Sequence, residues 1–237
     1  MGIAMMKELV KNSDEIPEWN PILDLVTELS CETQQKVVDE ICADHFIDWL
    51  LIKIEQILKK SELHLHQNLE VILNFLINLT DKSAYFCQYL TRDPHLLDTV
   101  KSIIEQKDRM KRFYPQAALL INNVQYQLDC SYFNEESVKL FLIQRIESTE
   151  KIICVTTLLR LSTAEQIKSL EKDVCSIIPG LVKGLEECLV ADDLRFEGSS
   201  IEEYLKNLFV VCKSEKAKVI LKENKWSSIG NFIPIKI

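Results

Sequence analysis

Apolar residues recur along the chain at helical spacing, in stripes separated by small polar corners. Ile22, Leu25, Val26 and Leu29 follow Pro21 with a 3.6-residue period, which predicts a helix with proline in its first turn. Val37, Val38, Ile41 and Cys42 predict a second helix. Phe46, Ile47, Trp49, Leu50, Leu51, Ile54, Ile57 and Leu58 predict a third, with a stripe wide enough to face two neighbours. From Leu63 to Leu79, apolar residues (Leu69, Ile72, Leu73, Leu76, Ile77, Leu79) cover most of the helix surface, so it must be buried on several sides. A corner at Asp81, Lys82 and Ser83 precedes a short helix bearing Tyr85, Phe86, Tyr89 and Leu90. Asp93 as N-cap and Pro94 as first residue open the next, with Leu96, Leu97, Val100, Ile103 and Ile104.

The second half continues the scheme. The segment from Lys107 to Arg112 predicts a charged loop, and Ala117 to Leu128 a long helix. Asn134, Glu135 and Glu136 are expected to cap a helix carrying Val138, Leu140, Phe141, Ile143 and Ile146. Lys151 to Leu161 is again apolar almost all round. Thr163 with Gln166, and Ser200 with Glu203, have the spacing of capping boxes. Leu170, Val174, Ile177 and Ile178 lead to Pro179 and Gly180, which predict a kink or a break before a further helix from Leu181 to Val190. Ala191 to Ser200 is expected to be a mobile loop, and Lys216 to Lys222 an amphipathic helix.

One motif recurs: an apolar helix end, a polar corner, then another amphipathic stretch. Its clearest copies begin at Leu76, Leu158 and Leu208, with fainter ones at Val38 and Leu119, so successive starts stand 38, 43, 39 and 50 residues apart. A period of about forty residues is that of helical-repeat solenoids, whose units have no core until they stack. The stretch Asn74-Phe-Leu-Ile-Asn-Leu-Thr80 is similar to the apolar third helix of armadillo units, which ends in Leu-x-Asn-Leu, and over residues 22 to 222 the chain resembles the armadillo/HEAT superfamily. The other copies read Leu120-Ile-Asn-Asn123, Leu159-Arg-Leu161 and Leu208-Phe-Val-Val211. The resemblance implies an all-α, right-handed α-solenoid of about five armadillo-like repeats. That repeat domain is expected over residues 21–223, after a lead-in over 1–20. In the irregular tail 224–237, Trp226, Phe232, Ile233 and Ile235 would cap the array or bind a partner.

Composition agrees with helices. The chain has 5 glycines and none between Gly2 and Gly180, which disfavours sandwiches and phosphate-loop α/β folds because both need glycine in tight turns. A net charge of −8 argues against nonspecific binding to nucleic acid or anionic membrane. The 8 cysteines are scattered, without a Cys-x-x-Cys, and mostly lie in apolar runs, which reads as buried free thiols in a reducing compartment. Met1 to Lys7 is too short for a signal peptide, Met6 occupies the position where a myristoylation signal needs Ser or Thr, and no apolar run is long enough to span a membrane. The expected location is intracellular, in cytoplasm or nucleus.

Catalytic chemistry finds little material. No nucleophile elbow, Walker loop, dinucleotide fingerprint, kinase motif set or His-Glu-x-x-His is present. His64 and His66, two apart, point to different faces of a helix and suit a metal poorly, and Asp44 and His45 diverge in the same way. The Asn78-Leu79-Thr80 sequon has its middle residue in the apolar stripe. Two charged regions remain for partner binding: the basic segment Lys107 to Arg112, and acidic Glu186, Glu187, Asp192, Asp193, Glu202 and Glu203, which could receive a basic peptide.

The expectation is a non-enzymatic scaffold or adaptor, without cofactor or metal, binding a peptide or helix of a partner protein. Polar residues along the third helix of each unit would form its face: Asn74, Asn78, Asn122, Gln125, Thr156, Arg160 and Asn207. The alternatives are a regulatory repeat module of a larger signalling protein, a helical-repeat nucleic-acid protein disfavoured by the charge, and, as architecture, a compact non-repetitive bundle.

Overall fold

The structure is a computed structural model, describing residues 36, 38–39, 42, 46–59, 65–92, 94–128, 130, 132–146, 150–196 and 199–223. The lead-in, the helix after Pro21, the tail, Asp44, His45, His64, the side chain of His66, Cys31 and the Asp93 cap all lie outside the described residues. The described residues are all-α apart from one two-residue β-ladder. Contacts divide the chain into two units, one ending at Phe133 and the other starting at Asn134, within what the sequence pattern suggested as one repeat domain.

The first unit begins with α1 (Phe46–Lys59), which buries Ile47, Leu50, Leu51, Ile54, Ile57 and Leu58 along the predicted stripe. Helix α2 (Leu65–Lys82) buries Leu69, Ile72, Leu73, Phe75, Leu76 and Leu79. It runs on through Asp81 and Lys82 of the expected corner, and the hydroxyl of Thr80 donates to the carbonyls of Leu76 (2.8 Å) and Ile77 (2.9 Å), so a polar residue sits in the core at no cost in unpaired groups. Ser83 then caps α3 (Ala84–Leu90), accepting from the amide of Phe86. In α4 (His95–Glu105), Pro94 has helical φ of −77° and its carbonyl accepts from Asp98, which places proline in the first turn as expected.

The charged segment after α4 is not a loop. It folds as a helical turn, α5 (Lys107–Met110), followed by a 3-10 turn (Lys111–Phe113). Met110 and Phe113 are fully buried, and Arg109 and Gln106 both donate to the carbonyl of Leu58 at the end of α1. Two apolar anchors and two polar tethers outweigh the charge run. Helix α6 (Tyr114–Leu128) follows with Pro115 in its first turn and packs most extensively on α2.

The second unit starts with α7 (Glu136–Gln144) and α8 (Lys151–Leu161); no side chain caps α7, and Glu135 stands at its N-cap position in extended conformation. Arg145 at the end of α7 and Glu150 at the start of α8 form an ion pair at 2.5 Å that is largely screened from water. Both predicted capping boxes are present, at Thr163 for α9 (Ala164–Ser169) and at Ser200 for α11 (Ile201–Val211). Between them α10 (Glu171–Val190) runs unbroken through Pro179, so of the expected kink or break the break does not occur. Ile177, Ile178, Leu181, Val182 and Leu185 are all buried on one face, while Pro179 and Gly180 are exposed. The burial of that stripe outweighs the one backbone bond that proline forfeits.

Within the stretch expected to be a mobile loop, the described residues include a two-residue β-ladder. β1 (Arg195–Phe196) pairs antiparallel with β2 (Ser199–Ser200), Arg195 opposite Ser200 and Phe196 opposite Ser199. Helix α12 (Glu215–Glu223) packs on α10 and ends the described chain.

Candidate interaction surface

Two of the seven polar residues expected on a binding face belong to the core. Thr156 is fully buried, its hydroxyl donating to the carbonyls of Ile152 (2.8 Å) and Ile153 (3.2 Å) of its own helix. Gln125 is 1% exposed, its amide nitrogen 3.9 Å from the sulfur of Cys130 and its carbonyl oxygen without a hydrogen-bond partner. On a helix that is apolar almost all round, residue type does not say which polar side chain faces out, and in these two places the inward face takes it. The other five lie at the surface: Asn74 is exposed, and Asn78, Asn122, Arg160 and Asn207 are half-buried.

In the first unit, Asn74 and Asn78 stand one turn apart on the outer strip of α2, together with exposed Glu70. Asn122 lies on the neighbouring α6, its amide 3.5 Å from the side-chain oxygen of Asn123. Asn123, which the sequence did not single out, points inward and ties the helices together. Its amide nitrogen donates to the carbonyl of Ile77 at 3.1 Å and reaches the hydroxyl of Thr80 at 3.4 Å. One turn on, Gln127 donates to the carbonyl of Asp81 at 2.7 Å. Both amide-to-carbonyl contacts join residues 46 apart in sequence and advance by one turn on each helix, so α2 and α6 run side by side in the same direction. The signal legible in the sequence is the pair of amides at i, i+4 on α6.

In the second unit, Arg160 and Asn207 meet: Nη2 of Arg160 donates to Oδ1 of Asn207 at 2.9 Å across α8 and α11, 47 residues apart. Lys213 completes the junction, its Nζ 3.3 Å from the carbonyl of Leu159 in the last turn of α8, where a cation complements the helix end.

The remaining chemistry is that of a packed interior. Burial pushes the thiols of Cys87 and Cys154 up to about 12, and burial with the nearby Asp39 carboxylate pushes Cys42 up to about 11. Burial also raises Cys188 and Cys212, so none of these sulfurs is prepared as a nucleophile at neutral pH. Every cysteine among the described residues is free of disulfides. His95 places Nδ1 3.4 Å from the Glu55 carboxylate, and among the described residues no group of three His, Cys, Asp or Glu could hold a metal ion.

The described residues define a mostly helical protein of the all-α class, and none of their helices is long and apolar enough to cross a membrane. Compared with models of known families, curated proteins and solved structures, the chain matches none of them.

Proposed function

We propose that the chain is a non-enzymatic interaction scaffold of armadillo-like helical units, which holds a peptide or helix of a partner protein against polar strips between its hydrophobic seams. The observation that carries this reading is the pairing of α2 and α6. Neighbours of like direction, separated by α3, α4, α5 and a 3-10 turn and bonded twice at an interval of 46 residues, are what stacked like units require. In an up-and-down bundle, sequence neighbours pack antiparallel. In the second unit the Arg160 to Asn207 bond joins α8 and α11 across 47 residues.

On this reading Asn74, Asn78 and Asn122 bind partner backbone through their side-chain amides, which donate and accept together. Arg160 and Asn207 do the same in the second unit, with a guanidinium that also takes a carboxylate. The test is affinity capture from the native cell on immobilised protein, comparing the natural chain with Asn74→Arg plus Asn78→Arg. A partner retained by the natural chain and by Gln56→Arg, a change on the exposed side of α1, is expected to be lost on the double variant. Capture of no partner, or of the same partners by all three proteins, overturns the reading.

A further inference from the structure

Large apolar side chains exposed among the described residues are concentrated at the end of α10. Leu189 is 48% exposed, Val190 80% and Leu194 49%, three such residues within six positions. Single exposed hydrophobes are ordinary, but a cluster is not. Hydrogen bonds hold the backbone around it. The amide of Leu194 donates to the carbonyl of Ala191 at 3.1 Å, and its own carbonyl accepts from Ile201 at 3.2 Å. Oδ1 of Asp193 accepts from the amide of Arg195 at 3.1 Å, and the thiol of Cys188 lies 3.6 Å from the carbonyl of Ser199. Leu194 is also held at φ of 55°, a left-handed conformation that leucine disfavours. The hairpin therefore holds an apolar side chain in water, on a backbone better suited to glycine.

Around this cluster the charge is mainly acidic. Glu186, Asp192 and Asp193 are exposed and Glu187 is half-buried, against Lys183 and Arg195. We propose that this apolar knuckle with its acidic rim is a docking point for a basic amphipathic segment of another protein, one that presents two or more apolar side chains flanked by Lys or Arg. The rim selects among occupants. Nucleic acid and anionic lipid are repelled by the same carboxylates, and a second copy of this chain brings four like charges face to face. A basic segment gains from both parts: the knuckle supplies desolvated contact, the rim supplies orientation and rate of encounter. The inference is independent of the polar strips on α2, α6, α8 and α11.

The test is fluorescence anisotropy of the full chain with a labelled Leu/Lys amphipathic helix about four turns long, and with a Leu/Glu helix of the same pattern. The Leu/Lys probe is expected to bind and the Leu/Glu probe not. Val190→Ser with Leu194→Gly weakens binding about tenfold or more, and so does Glu186→Lys with Asp192→Lys. Neither change threatens the fold, since Val190 lies in water and glycine suits the backbone at position 194; an unchanged circular dichroism spectrum checks this. Asp98→Lys with Glu105→Lys, exposed carboxylates of the first unit away from the polar strips, alters the affinity less than about threefold and separates docking from bulk charge. Failure of the Leu/Lys probe to bind, full affinity in either hairpin variant, or an equal loss in the first-unit variant overturns the proposal.

Discussion

Two helix pairs solve the same packing problem in opposite ways. Helices α2 and α6 run in the same direction, joined by the chain of α3, α4 and α5, and are tied by amides reaching the last carbonyls of α2. Helices α10 and α11 run antiparallel across a short hairpin, and approach so closely that the ring of Tyr204 lies on the backbone of Gly184. Both bury apolar stripes of similar character, so the stripe does not decide the geometry. The parallel pair is specified by polar side chains with directional bonds, the antiparallel pair by the absence of a side chain. Register in the first tolerates small changes in volume but not loss of an amide; in the second the tolerance is reversed.

The largest effect is therefore expected at Gly184. A Cβ there would meet Cε1 of Tyr204 at 2.2 Å and Cζ at 2.3 Å, so the ring must swing away. Gly184→Ala is expected to destabilise the second unit by about 1–3 kcal/mol in urea denaturation, even though alanine is the better helix former. Gly180 lies one turn earlier on the same helix and supplies the control. Its Cβ would meet only Cδ1 of Ile152 at 3.4 Å, so Gly180→Ala gains helix propensity and stabilises by about 0.5–1 kcal/mol. Two alanines of opposite sign on one helix confirm close approach; a stabilised Gly184→Ala refutes it.

In the parallel pair the expected order is Asn123 above Gln127. Asn123 is buried, and Asn123→Ala forfeits its bonds to Ile77 and Thr80, a cost of about 1–2 kcal/mol, whereas a change to alanine at part-buried Gln127 costs about 0.5–1 kcal/mol. The double variant should cost less or more than the sum, since the two amides hold one register. Strict additivity in a double-mutant cycle would mean that the amides act separately and that the parallel alignment does not rest on them.

Much of this architecture was legible because it is encoded locally. The limits of α8 and the two capping boxes at Thr163 and Ser200 depend on residues within one turn of each other, and the structure has them as read. Errors arose where distant contacts overrode a local signal. Pro179 announced a kink or a break, and with the buried stripe on either side of it α10 stays whole. The run from Lys107 to Arg112 announced a loop, and Met110 and Phe113 pinned it as helical turns. The surface residues were harder still. Thr156 can satisfy its hydroxyl within its own helix, so it can face inward without penalty, and nothing in its neighbours' identities distinguishes it from outward Arg160. The apolar knuckle went unread because Leu189 and Val190 continue a helical stripe whose core ends before they do.

Two tyrosines give the smallest effect and the finest comparison. In the second unit Tyr204 is placed by ring packing, its hydroxyl a long 3.5 Å from the carbonyl of Phe196, so Tyr204→Phe is expected to be nearly neutral. In the first unit Tyr89 is placed by a bond: its hydroxyl donates to both oxygens of Asp48, at 3.1 and 3.2 Å, with the guanidinium of Arg92 4.9 Å above the ring. Tyr89→Phe should cost about 0.5–1 kcal/mol at neutral pH. Its pH dependence has a definite sign. Burial, and then the Asp48 carboxylate, push the Tyr89 phenol up from 10.0 to about 12, so between these values the folded chain holds a proton that the unfolded chain has released. Stability from this group is complete below pH 10 and is lost as pH rises towards 12. Denaturation midpoints across that window should therefore fall less steeply for Tyr89→Phe than for the natural chain. Equal slopes in the two proteins would show that the phenol titrates normally and that Asp48 does not hold it.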